Sequence, residues 1–326
     1  MRNLSTLAWR VYDAPTKPWH GVVADTEGDD SVYVMRVERR DGVSQLTLAH
    51  ITPTGTEELA VLEVASAPPH VPDVADFRLL ADGGSSVNHM PAICVIGSGG
   101  DIVLMPVDEE ASAPAEVVGS VDQGILAAAW SPEEDVLVLI TGGEKRLIVM
   151  TREFEVVSET MLSTEAFGDD QPVNVGWGSK STQFHGSEGK QAAMAAANAP
   201  EESDPRGPLV PEDDGLPRIS WRGDGAFFVT SSAEASHDTM HRILRTYTRT
   251  GTLSATSDRS VRGISHVLAC RPTGNLIATT QRMGGPWAPG RHGRHDVVFF
   301  ERNGLRHGEF SLREEHGSVP DVPGVS

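Results

Sequence analysis

Residues 125–140 read Ile-Leu-Ala-Ala-Ala-Trp-Ser-Pro-Glu-Glu-Asp-Val-Leu-Val-Leu-Ile. An apolar run ends on a bulky residue, Trp130. A turn of Ser131-Pro132-Glu133-Glu134-Asp135 follows, and a second apolar run begins at Val136. Two short runs joined by turn-forming residues read as an antiparallel hairpin. The unit returns as Ile219-Ser220-Trp221, the turn Arg222-Gly223-Asp224-Gly225, and Phe227-Phe228-Val229. It returns again as Val267-Leu268-Ala269-Cys270, the turn Arg271-Pro272-Thr273-Gly274, and Leu276-Ile277-Ala278. A fainter copy is Val173-Asn174-Val175-Gly176-Trp177. The blade anchors are therefore Trp130, Trp177, Trp221 and Cys270, in steps of 47, 44 and 49 residues. Periods of this length, with several short strands per repeat, predict the blades of a β-propeller.

Each unit carries a second hairpin. Leu147-Ile148-Val149-Met150 leads into Thr151-Arg152-Glu153-Phe154, Leu244-Arg245-Thr246-Tyr247 into Thr248-Arg249-Thr250-Gly251, and Val297-Val298-Phe299-Phe300 into Glu301-Arg302-Asn303-Gly304. Each reads as strand, arginine-containing turn, strand, the last two strands of a blade. Toward the amino terminus, Val32–Val37 and Gln45–Leu48 flank Arg40-Asp41-Gly42, and Ala92–Ile96 and Ile102–Met105 flank Gly97–Asp101. Asp-Gly and Asn-Gly are strong hairpin signals. The reading is an all-β, WD40-like propeller of about six recognisable blades within residues 1–312. It is expected to be incomplete, because the pattern stops after the sixth unit. Residues 191–217, with an Ala-rich run and the acidic Pro200-Glu201-Glu202-Ser203-Asp204-Pro205, are expected to be a long insertion, at least partly disordered. Residues 283–295 form a second loop, and 313–326 a polar tail.

Composition narrows the function. The net charge is −19, from 27 Lys and Arg against 46 Asp and Glu. That disfavours nucleic acid as a direct ligand, since phosphate binding needs a positive field. Arg291, Arg294, Arg302 and Arg306 cluster in sequence but read first as exposed arginines of loops and strands. With only two cysteines, Cys94 and Cys270, no disulfide framework is expected, and a reducing compartment fits. No apolar signal core follows Met1, and no run has the length of a membrane span, so no membrane partner is expected.

One stretch is unusual for a propeller: Val175-Gly176-Trp177-Gly178-Ser179-Lys180-Ser181-Thr182-Gln183-Phe184-His185-Gly186-Ser187-Glu188-Gly189-Lys190. It resembles the amino-terminal propeller of the largest, scaffold subunit of the Elongator complex, the IKAP-type family. The likeness continues in Trp221–Phe228, Arg271–Gln281 and Asp296–Gly308, and in the opening Met1-Arg2-Asn3-Leu4. These motifs fall in one order, dense from about residue 120 to 312. The resemblance implies a non-catalytic scaffold. Such a scaffold supports wobble-uridine modification of transfer RNA, in the cytoplasm and also the nucleus. Its partners would be a catalytic radical-SAM and acetyltransferase-like subunit and a second propeller subunit. It also marks Gln183, Phe184, His185, Gly186, Ser187, Glu188, Gly189 and Lys190 as a family-typical interaction loop. The resemblance implies a closing blade, a second propeller and a helical region after this part, which the chain is expected to lack.

The residues themselves argue against chemistry. Gly186–Lys190 lacks the P-loop pattern, since Phe184 and Gln191 stand where Gly and Ser or Thr are required. His292, His295 and His307 have no Cys pair or carboxylate at ligand spacing. Arg222-Gly223-Asp224 spells an adhesion tripeptide but lies at a repeat turn. No nucleophile elbow and no His-Glu-x-x-His motif occurs, so no catalytic, cofactor or metal residue is assigned. The anchor tryptophans read as inter-blade packing before partner hot spots. Two alternatives stay open: a peptide- or protein-binding propeller of another assembly, and a propeller hydrolase, because fold does not fix function.

Overall fold

The computed structural model describes residues 20–24, 31–52, 54–80, 91–107, 114–163, 168, 207–236, 239–257, 261–285 and 293–312. They form two compact units, Met1–Gly124 and Ile125–Ser326. Every regular element among them is a strand. The first unit holds blade A, with β1 Gly21–Ala24, β2 Val32–Arg40, β3 Val43–Ile51 and β4 Thr56–Ala65. It also holds blade B, with β5 Val74–Leu80, β6 Ala92–Gly97, β7 Asp101–Pro106 and β8 Glu116–Ser120. The second unit holds blade C, with β9 Ile125–Trp130, β10 Val136–Thr141, β11 Arg146–Thr151 and β12 Val156–Met161. Blade D has β13 Arg218–Trp221, β14 Phe227–Ser236, β15 Thr239–Thr248 and β16 Leu253–Thr256. Blade E has β17 Ile264–Cys270, β18 Ile277–Arg282, β19 His295–Phe300 and β20 Arg306–Ser311. Each blade is a four-stranded antiparallel meander in sequence order. Five of the six units read from the sequence are thus in place. The unit counted on Trp177 lies outside the described residues.

The turns explain why these short segments pair as they do. Between β2 and β3, Arg40 pairs with Val43, leaving Asp41 and Gly42 as a two-residue loop. Their φ angles of 48° and 86° are those of a type I′ turn, whose twist matches that of the strands it joins. The arginine-containing turns follow another rule. In each, the fourth residue donates its N–H to the carbonyl of the first: Phe154 to Thr151, Gly251 to Thr248, Gly304 to Glu301. That fourth residue has positive φ, 62°, 86° and 83°. The ladder slips by one residue immediately after each turn. This is a type I turn closed by a left-handed residue and a bulge. Asn303-Gly304 therefore makes the hairpin its sequence signals, but by the longer turn. At Phe154 a bulky residue occupies the left-handed position, and its ring packs edge-on against the anchor Trp130 with centroids 6.0 Å apart.

Side-chain alternation then assembles the sheets. In blade D, Phe227 and Phe228 are adjacent and point to opposite faces. Phe228 joins Ala127, Val138, Ile140, Leu147 and Val149 of blade C and stacks on Tyr247, centroids 5.3 Å apart. Phe227 joins Ile264, Ile277, Val298 and Phe300 of blade E. Blade D is thus packed on both faces. In the first unit, Met35, Leu46 and Leu48 of blade A meet Ile93, Val95 and Val103 of blade B in one core. Among the fourth strands, β12 and β20 are almost wholly exposed, whereas Val64 of β4 is part of the first unit's core and Leu253 of β16 packs on the core shared by blades C and D.

Two glycines test the turn geometry. A Cβ at Gly42 would meet nothing within 4 Å, whereas at Gly304 it would lie 2.2 Å from the Thr256 carbonyl oxygen. Gly42→Ala should cost about 1 kcal/mol, the strain of the left-handed backbone alone. Gly304→Ala should cost several-fold more, as measured by denaturant unfolding of the two variants.

Candidate functional site

The second unit is stitched between blades at matched positions. The indole N–H of Trp221 in blade D donates to the carbonyl of Ala129 in blade C, at 3.2 Å. The corresponding residue of blade E, Cys270, places its Sγ 3.3 Å from the carbonyl of Ser220 in blade D, and its N–H donates to the Ser220 hydroxyl at 2.9 Å. Ala129 and Ser220 each precede their blade's anchor. Successive anchors therefore bind the same carbonyl position of the blade before. Burial raises the Cys270 thiol to about 11, against a smaller lowering by the Ser220 hydrogen bond. It remains a protonated donor, not a nucleophile.

The turn arginines of blades D and E also reach back one blade. Arg249 of blade D pairs with Asp135 in the first turn of blade C, and donates to the Gly225 carbonyl at 3.1 Å. Arg302 of blade E lies over the ring of Phe227 in blade D, 5.5 Å from its centroid, and Arg222 lies 5.7 Å from the same ring. Ala226 replaces Asp135 at the equivalent position of blade D. The guanidinium of Arg302 therefore meets an aromatic face instead of a carboxylate.

At the opposite end of blade D three successive carboxylates are ion-paired, the middle one buried and its neighbours exposed. Glu212, Asp213 and Asp214 pair in turn with Arg282 of blade E and with Arg242 and Arg218 of blade D. The Arg242 and Asp213 side chains are both fully buried, at 0% exposure. Arg242 Nε donates to Asp213 at 2.7 Å, and its Nη1 donates to the carbonyls of Leu216 and Ser231 at 3.2 Å. This pair fixes residues 207–217 against β15, where Leu209 N–H also donates to the Met240 carbonyl. The expected insertion is therefore ordered from 207 onward; residues 191–206 lie outside the described residues. Along the same hairpin, Glu234 accepts from both terminal nitrogens of Arg245, from Ser232 at 2.9 Å and from Ser163 at 3.0 Å. Burial pushes the Glu234 carboxyl up, but Arg245 and the two hydroxyls outweigh it and hold it below the ordinary glutamate range. Lys145 of blade C adds a bond to the Ala233 carbonyl at 3.0 Å.

Asp213, Asp214 and His266 bring three ligand-type atoms within 4.8 Å of one another. Both carboxylates already face guanidinium groups, which oppose a cation there. Burial raises the Asp214 carboxyl, while Arg218, the Leu216 N–H and His266 bring it below its ordinary value. The arginine cluster of the sequence resolves similarly. Arg294 pairs with Asp296 and Glu309, Arg306 with Glu309, and His307 with Glu301. His292 and Arg291 lie outside the described residues, as do Trp177 and the whole loop Gln183–Lys190. Trp130, Trp221 and Cys270 are the last residues of β9, β13 and β17. The buried pairs of Arg242 and Arg245 escape sequence reasoning, because their partners are fixed by cross-strand register and by a loop rather than by spacing.

In the first unit, Asp76 on β5 is the most perturbed carboxyl. Burial raises it from 3.8 to about 6, against weaker lowering by the Phe77 N–H and by Arg78. Its folded pKa exceeds its unfolded one, so the folded state holds the extra proton between those values. The contribution of Asp76 to stability is greatest below pH 3.8, falls as pH rises to about 6, and is flat above. Asp76→Asn should therefore raise stability by about 3 kcal/mol above pH 6 and by nothing near pH 3.5, in paired urea melts. For the buried pair, Asp213→Ala should cost about 3–5 kcal/mol by stranding Arg242, and replacing both partners with apolar residues should recover most of that loss.

The comparisons agree with the geometry. A family model described as the ELP1 first N-terminal beta-propeller matches residues 1–321. Elongator complex protein 1 of Mus musculus is 34% identical over 323 residues, 96% of this chain and 21% of that protein. The Schizosaccharomyces pombe protein of the same name is 38% identical over 224 residues, 68% of this chain and 17% of its own length. The chain thus spans about a fifth of the curated relatives it matches. Among solved structures, Chaetomium thermophilum Sqt1, bound to the N-terminus of ribosomal protein L10, aligns with a TM-score of 0.50 at 15% identity, over 94% of this chain and 64% of that one. That likeness shows the propeller fold. With repeat, blade order and family match in accord, the chain belongs to the Elongator complex protein 1 family, as a first amino-terminal β-propeller.

Proposed function

We propose that this propeller is a non-catalytic scaffold module of the Elongator complex, serving wobble-uridine modification of transfer RNA in the cytoplasm and also the nucleus. The observation that carries the reading is the family match over residues 1–321. The chemistry of the described residues supports it. Glu234, Asp213, Asp214 and Cys270 each act as a fixed hydrogen-bond or ion-pair partner between or within blades. None is paired with a base or nucleophile in a catalytic arrangement. A net charge of −19 suits protein partners better than direct transfer-RNA contact. The proposed partners are the catalytic radical-SAM and acetyltransferase-like subunit and the second propeller subunit.

The test is a pull-down of this chain against purified Elongator subunits, with a full-length relative as positive control. The expected result is retention of the catalytic subunit by the folded chain. Loss of every subunit, from a soluble sample with a cooperative melt, would contradict a docking role for this propeller.

A further inference from the structure

The outer strands of the second unit share a bulge but not its surroundings. The residue left unpaired at the bulge is Val157 on β12, Ser254 on β16 and His307 on β20. Val157 is 50% exposed and His307 is exposed, whereas Ser254 is 3% exposed and the next residue, Ala255, 1%. The turn of the following blade does not make this difference, because β12 has it too. Ser158 donates its hydroxyl to the Thr250 carbonyl of blade D at 2.7 Å, just as Gly304 of blade E lies against Thr256. What β16 has in addition is Gly168, from the chain between blades C and D. A Cβ on Gly168 would collide with the carbonyl group of Ser254 and stand 2.7 Å from the Ala255 nitrogen. Its φ of 97° is a second reason for glycine at this point.

The chain is held on its way to that contact. After β12, Leu162 is fully buried in the core shared by blades C and D, and its N–H donates to the Lys145 carbonyl at 3.0 Å. Ser163 donates its hydroxyl to the Glu234 carboxylate of β14 at 3.0 Å. Leu162, Ser163 and Gly168 thus tie the chain to blade C, to β14 and to β16 in succession. An outer strand pairs on one side only, and covering that side with a loop keeps other strands from adding to it. We propose that these three residues fasten a strap, with Gly168 as its clasp, that closes the outer edge of blade D to an incoming strand. The edge becomes available only when the strap lifts. The device belongs to blade D alone and holds whichever partners the scaffold serves.

The test is hydrogen exchange on the full chain, read at equivalent amides of β12, β16 and β20. In the wild type, β16 should exchange about tenfold more slowly than the other two strands. Gly168→Val opens the clasp, because its side chain has no room against Ser254. It should raise exchange at β16 about tenfold while β14, β15 and β17 keep their rates. Gly42→Ala is the control for backbone strain, since Gly42 also has positive φ but nothing within 4 Å of a Cβ, and it should leave β16 unchanged. Should Gly168→Val fail to fold, Ser163→Ala takes its place, with a rise of about threefold confined to β16. Equal rates at the three outer strands of the wild type would overturn the proposal by showing an open edge. A rise spread evenly over blade D in the variant that folds would overturn it too, by showing residues needed for folding alone.

Discussion

The second unit depends on one repeated interaction: the anchors of blades D and E each donate to the carbonyl that precedes the anchor of the blade before. Trp221 does this to Ala129 by its indole, and Cys270 to Ser220 by its thiol. The donor changes from a large aromatic to a small thiol, yet the acceptor position is conserved in the geometry. A fixed acceptor sets the height of one first strand against the next. With that height fixed, Phe228 falls into the core shared with blade C and Phe227 into the core shared with blade E. The backbone polar group is satisfied at the same time, which a buried carbonyl requires. The turn arginines repeat the logic at the blade ends, with Arg249 meeting a carboxylate and Arg302 an aromatic face.

A propeller built this way devotes its ionisable groups to structure. Burying a charge is tolerable only with complete partners. Arg242 meets that condition through Asp213 and two backbone carbonyls, and Glu234 through Arg245 and two serines. Such pairs contribute modest net stability but penalise the loss of either member. They also tie residues 207–217 to blades D and E, so the chain re-enters the sheet at β13 from a fixed point.

Much of this was legible in the sequence, for identifiable reasons. Strand alternation and turn chemistry are local, so the paired hairpins at Trp130, Trp221 and Cys270 could be located residue by residue. The role of Arg249 and Arg302 was half visible: the arginine recurs in each turn, but its target lies in another blade. Asp213, Glu234 and Arg245 gave no signal, because a buried ion pair requires knowledge of which strands face each other. The turn at Asn303-Gly304 shows the limit of dipeptide rules, since the same two residues close a bulged turn here rather than a two-residue loop. Asp41-Gly42 follows the rule as written.

The central claim is that inter-blade bonds make blades C, D and E one cooperative body. Native-state hydrogen exchange on β9, β13 and β17 tests it most directly. The account predicts that the slowest amides of the three strands exchange through one shared opening, and that Trp221→Phe lowers its free energy for all three alike. Separate openings for each blade, or an effect of Trp221→Phe confined to blade D, would contradict it.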